Sequence, residues 1–148
     1  AGKEVQDYFY SMGAVSVSTP EEIEPAGGKS AILPMTTVWS KRATGLAKCR
    51  GCVCGNYQTK DPPERVWTAQ AETSSVMAGV RLAQLGKWSV GKLDVKGAFM
   101  YAPLPDGLLV IVRPPKIWGT PGLVPPGTLW TLQRAGYGLR CAPRAWGT

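Results

Sequence analysis

Asp94 ends a run of apolar residues in Lys92-Leu93-Asp94-Val95-Lys96-Gly97-Ala98-Phe99, and a turn with a small residue and an aromatic follows it. A carboxylate at a strand end is what nucleotidyl transfer uses. Grouped with others, it holds the Mg2+ ions that activate an attacking 3′-hydroxyl and neutralise the leaving pyrophosphate. The same segment also suits a plainer role, in which Asp94 caps the following turn or pairs with Lys92 or Lys96.

Two basic segments accompany the carboxylate. Lys48 and Arg50 stand two residues apart in a strand-like run, so a period of two puts both on one face. There they face either a polyphosphate, a nucleic-acid backbone or solvent. Downstream, Tyr137-Gly138-Leu139-Arg140-Cys141-Ala142-Pro143-Arg144-Ala145-Trp146 is a glycine turn running into a proline-started helix. A helix start of this kind suits phosphate contact, and it equally suits a simple capped helix.

The chain contains no histidine. That removes every Ser/His/Asp or Cys/His arrangement and every mixed Cys/His zinc site. Carboxylates, metals, lysines and thiols are the chemistry that remains. Cys49, Cys52 and Cys54 cluster with only distant Cys141 to complete a set of four, so they read as small apolar packing residues and reduced thiols. A small zinc or redox module is the rival reading of that cluster.

The elements that must position these groups follow from periodicity and punctuation. Val5, Tyr8, Phe9 and Met12 at helical spacing predict a short helix over 4–15 ended by Gly13, and 19–29 reads as a loop. Residues 31–40 and 48–56 are rich in β-formers on either side of a Gly45 turn, which predicts a hairpin. A helix is expected over 68–85, stopped by Gly86, with Ala71, Val76, Val80, Leu82 and Leu85 as its apolar positions. Strands are expected at 88–95, 108–112 and 128–133, with an ordered proline-rich loop at 114–127. Strands and helices without regular βαβ alternation define an α+β domain.

Taken together and in order, the motifs resemble the reverse transcriptase of copia-type retrotransposon polyproteins. Leu93 to Phe99 is similar to the family's Leu-Asp-Val-Lys-Asn-Ala-Phe, and Tyr137 to Trp146 to its Tyr-Gly-Leu-Lys-Gln-Ala-Pro-Arg-Ala-Trp some forty residues on. Val110-Ile111-Val112-Arg113-Pro114-Pro115 looks like the strand end between them. Trp39-Ser40-Lys41 and Lys48-Cys49-Arg50-Gly51 look like the family's fingers hairpin.

The resemblance implies a partial right-hand polymerase: residues 1–30 a helix and loop leading in, and residues 31–148 the fingers and an incomplete palm, with a β-hairpin, a long helix and short palm strands. It implies RNA-directed DNA synthesis, with an RNA template, a DNA primer, deoxynucleoside triphosphates and the remainder of a polyprotein as partners and Mg2+ as cofactor. Asp94 is then the first metal-binding carboxylate, and Val95 lends a carbonyl to a metal. Gly97, Ala98, Phe99, Lys48, Arg50, Tyr137 and Gly138 lie around the nucleotide, Phe99 as the gate against a 2′-hydroxyl, and Arg140 and Arg144 meet nucleic acid. The family's Tyr-X-Asp-Asp segment, which carries two further carboxylates, falls beyond Thr148, so no polymerisation is expected from this chain alone. Gly136 and Cys141 depart from the family's bulky aliphatic and glutamine.

Charge fits this reading and also a second one. Seventeen Lys and Arg against ten Asp and Glu leave +7, which favours polyanions. A degenerate or domesticated remnant that only binds nucleic acid would carry the same surface. No apolar run is long enough to span a membrane and no signal peptide is recognisable, so the expected setting is intracellular, without a membrane partner. The resemblance narrows that setting to cytoplasm or virus-like particle.

Overall fold

A computed structural model describes residues 9–24, 32–41, 43–58, 68 and 70–147. Among these, the chain forms an α+β fold around one five-stranded mixed sheet. The strands are β1 (Val15–Val17), β2 (Leu33–Lys41), β3 (Ala47–Val53), β4 (Ile111–Arg113) and β5 (Trp130–Leu132), and their spatial order is β1-β5-β4-β2-β3. Helices α1 (Pro20–Ile23), α2 (Thr73–Leu85) and α3 (Ala142–Gly147) complete the described elements together with short 3-10 turns.

The hairpin is where the sequence predicts it. β2 and β3 pair antiparallel from Met35↔Val53 to Lys41↔Ala47, and Gly45 in the intervening turn has φ +84°. β2 has two jobs along its length. Leu33 and Pro34 pair parallel with Val112 and Arg113 of β4, while the rest of the strand leaves the central sheet as a two-stranded arm. Val38 and Trp39 are therefore about half exposed, because nothing described covers the arm.

The core lies where β4 and β5 meet two aromatics from outside the sheet. Trp130 of β5 is fully buried, Phe9 stacks on it with ring centroids 5.5 Å apart, and Trp118 closes the trio at 6.0 Å from Trp130. Trp118 comes from the 3-10 turn Lys116–Trp118 inside the proline-rich loop, so that loop is ordered by burying its largest side chain. Gly51 of β3 lies against this cluster. A Cβ there would stand 2.5 Å from the Trp118 ring, so glycine lets the hairpin approach.

Elsewhere the structure departs from the expectations. Of the helix predicted over 4–15, residues 1–8 lie outside the described residues. Phe9 and Tyr10 form a π-helical turn, with the Ala14 N–H donating to the Phe9 carbonyl at 3.0 Å, and Gly13 at φ +59° ends it as expected. Val15–Val17 is then a strand, drawn into the sheet by pairing with β5. The loop expected at 19–29 contains α1, where the Glu22 carboxylate accepts from the Thr19 N–H at 2.9 Å in a capping box.

Residues 88–95 form no strand. They pair with no strand among the described residues, and without a ladder alternation alone does not make a strand. In consequence Asp94 is exposed rather than poorly solvated at a strand end. Helix α2 does form and stops at Gly86 as expected, but it starts at Thr73 rather than at 68, which leaves Ala71 outside it, and Ala83 is its only buried residue among the described ones. Val76, Val80, Leu82 and Leu85 face outward, because no described element packs on them. No described helix is long and apolar enough to cross a membrane.

Candidate functional site

A cleft of about 280 Å³ opens between the hairpin and the segment that follows α2. Lys48, Arg50, Asp94, Val95, Gly97 and Tyr137 all line it, and Phe9, Gly51, Lys96 and Met100 complete its wall. Three separated stretches of the sequence, with Phe9 from a fourth, thus converge on one concavity. Each is brought there for a local reason.

β3 supplies the cations by alternation. Cys49 is turned into the core and only 3% exposed, so Lys48 and Arg50 on either side of it face outward together. The Asp94 stretch is turned by Gly97, whose φ of +68° starts the 3-10 turn Ala98–Met100. A left-handed residue here is open to glycine at little cost. Met100 then buries itself in the core and anchors the segment.

The third stretch is held by backbone. The Val53 N–H donates to the Tyr137 carbonyl at 2.7 Å, which ties the turn at Tyr137 to the end of β3. Gly138 follows at φ +91°, and a side chain at either Gly138 or Gly55 would run into the backbone of the other segment. Arg140 reinforces the same junction: its Nε donates to the Gly55 carbonyl at 3.0 Å. The Tyr137 ring, half-buried, meets Phe99 edge-on at 5.3 Å and carries the Arg50 guanidinium 5.7 Å above its centroid.

Not every residue singled out from the sequence reaches the cleft wall. Ala98 and Phe99 stand half-buried beside it, Gly138 belongs to the junction with β3, and the Arg140 Nε is engaged with backbone. Arg144 is exposed on α3, away from the lining. Two contributors were not singled out. Lys96 adds a third cation to the wall, and its place between Asp94 and the Gly97 turn was the available signal. Gly55 had none, since its approach to Gly138 is long-range.

Among the described residues the cleft wall carries three cations against one carboxylate. Such a wall favours a polyanion with several phosphates over a neutral or cationic ligand. A catalytic pair of Mg2+ ions does not fit the residues present, because no group of three or more Asp, Glu, Cys or His that could hold a metal occurs among the described residues. One Mg2+ carried in on a triphosphate does fit, since such an ion takes one or two protein carboxylates and completes its shell with phosphate oxygens and water. Comparison with protein-family models, with curated proteins and with solved structures finds no match to this chain.

Proposed function

We propose that the cleft binds the triphosphate of a deoxynucleotide, and that the chain is the fingers and part of the palm of an RNA-directed DNA polymerase of the copia-type reverse-transcriptase kind. The observation that carries the reading is the convergence of Lys48, Arg50, Asp94 and Tyr137, picked from three separate motifs, on one cleft. In this reading Lys48 and Arg50 take the outer phosphates, with Lys96 beside them. Asp94 offers one carboxylate to the accompanying Mg2+, which supplies charge neutralisation at the phosphates when bound. Gly97 keeps the adjoining turn free of a side chain that would crowd the nucleotide.

Binding is as far as the present residues go. In-line transfer on two metals needs carboxylates that fix both ions, and Asp94 is the one acidic residue of the cleft wall among the described residues. The sequence contains no Asp-Asp pair. The chain is therefore expected to hold Mg2+ and a deoxynucleoside triphosphate without extending a primer. RNA template, DNA primer and the rest of a polyprotein are the partners of the complete enzyme in this proposal.

Equilibrium dialysis with labelled dTTP tests it. Retention in the presence of Mg2+, weakened about tenfold or more by Lys48→Ala with Arg50→Ala, is the expected result, in line with the loss of charge-assisted phosphate contacts. Primer extension that disappears in Asp94→Asn would overturn the claim that the chain only binds. No retention under any condition would remove the nucleotide reading and leave a nucleic-acid-binding remnant as the function to examine.

A further inference from the structure

We infer that Tyr137 is a positioning residue for Arg50, and not itself a contact for the nucleotide. This deepens the reading of the cleft as a phosphate site and rests on it. The structure ties Tyr137 to two different segments, strand β3 and the 3-10 turn Ala98–Met100. Its carbonyl accepts from the Val53 N–H at 2.7 Å, its ring meets Phe99 edge-on at 5.3 Å, and its ring face lies 5.7 Å beneath the Arg50 guanidinium.

Arg50 needs such support. It stands exposed on an edge strand of a two-stranded arm, opposite Val38 and with no carboxylate of the cleft across the strand pair. A free arginine side chain there would sample many rotamers, and ordering it on binding would weaken the affinity. An aromatic face fixes the guanidinium plane while leaving its edge N–H groups open to phosphate oxygens. Phe99 in turn fixes the ring, and Phe99 follows directly on the Gly97 turn that carries Asp94. Tyr137 thereby sets the cation of the hairpin against the carboxylate segment.

The ring, not the hydroxyl, carries this role. Tyr137→Phe is expected to bind like the parent chain, and Tyr137→Leu to bind several-fold more weakly, the size of a partly shielded cation–π contact. The test is a double-variant cycle on the full chain, with inorganic tripolyphosphate as the probe and titration calorimetry as the readout. If Tyr137 acts through Arg50, Tyr137→Leu weakens binding in the Arg50 background and does nothing further in the Arg50→Ala background.

A purely structural role for Tyr137 would weaken binding equally in both backgrounds and would overturn the inference. So would tripolyphosphate binding that Tyr137→Leu leaves intact. Failure of the parent chain to bind tripolyphosphate is a separate outcome. It would remove the phosphate reading of the cleft, and the positioning role with it.

Discussion

Gly138 and Gly55 show how much of the site depends on single residues that contribute no side chain. Gly138 has φ +91°, and a Cβ on it would meet the Val53 carbonyl. Alanine there is expected to cost more than about 2 kcal/mol, since a left-handed residue alone costs about 1–2 kcal/mol. Two positions earlier, Gly136 has ordinary backbone, and a Cβ would sit 3.8 Å from the Val53 side chain. Gly136→Ala should stabilise by about 0.4–1 kcal/mol through the unfolded chain. Urea denaturation of both variants checks the contrast, and equal effects would mean the close approach is not as described. Tyr10 gives a second prediction at this scale. Burial raises its phenol above the ordinary 10.0, against the opposing pull of its contact with Trp130. A raised pKa means the neutral phenol is favoured in the folded chain. Its contribution is whole below pH 10.0 and is lost as the pH climbs through the raised value. Tyr10→Phe should accordingly remove part of the alkaline loss of stability, followed by tryptophan fluorescence at fixed urea.

Hairpin and helix were legible in the sequence because their signals are local: β-formers flanking Gly45, and a 3.6-residue rhythm ending at Gly86. The segment at 88–95 was misread for the opposite reason. Alternation describes which residues would face which way, but a strand exists only where a neighbour supplies a ladder, and 88–95 has none among the described residues. β1 was missed likewise, since Val15↔Leu132 joins residues more than a hundred positions apart. The site was half legible. Lys48, Arg50 and Asp94 announce themselves by type and spacing, whereas the Gly55 and Gly138 approach and the Arg50 and Tyr137 stack are long-range and leave no local trace. Stability should divide the same way between elements. Trp130→Ala in β5 removes the centre of the aromatic trio and is expected to cost about 3–5 kcal/mol. Leu82→Glu on α2, at a position 60% exposed, should stay within about 0.5 kcal/mol. Parallel urea titrations compare them. A large loss at Leu82 would show that the outer face of α2 is covered in solution.

At the scale of the whole molecule the question is whether the excess charge is focused or merely spread. The chain carries +7, and among the described residues the cleft wall holds three cations against Asp94, so most of the excess is not accounted for by that wall. Single-stranded nucleic acid distinguishes the two cases. Each phosphate neutralised contributes about −0.7 to the slope of log affinity against log salt. A strand threaded through the cleft meets Lys48, Arg50 and Lys96, which predicts a slope of about −2, reduced by about 0.7 in Arg50→Ala. A strand lying on the general basic surface keeps its slope when Arg50 is removed. Fluorescence anisotropy with oligo(dT) between about 50 and 200 mM salt measures both chains under the same conditions. The expected result is the reduced slope, because the Arg50 guanidinium lies over the Tyr137 ring and both side chains line the cleft. An unchanged slope would separate the two ligands physically: the triphosphate would keep the cleft, and the path of the strand would run over the remaining basic face.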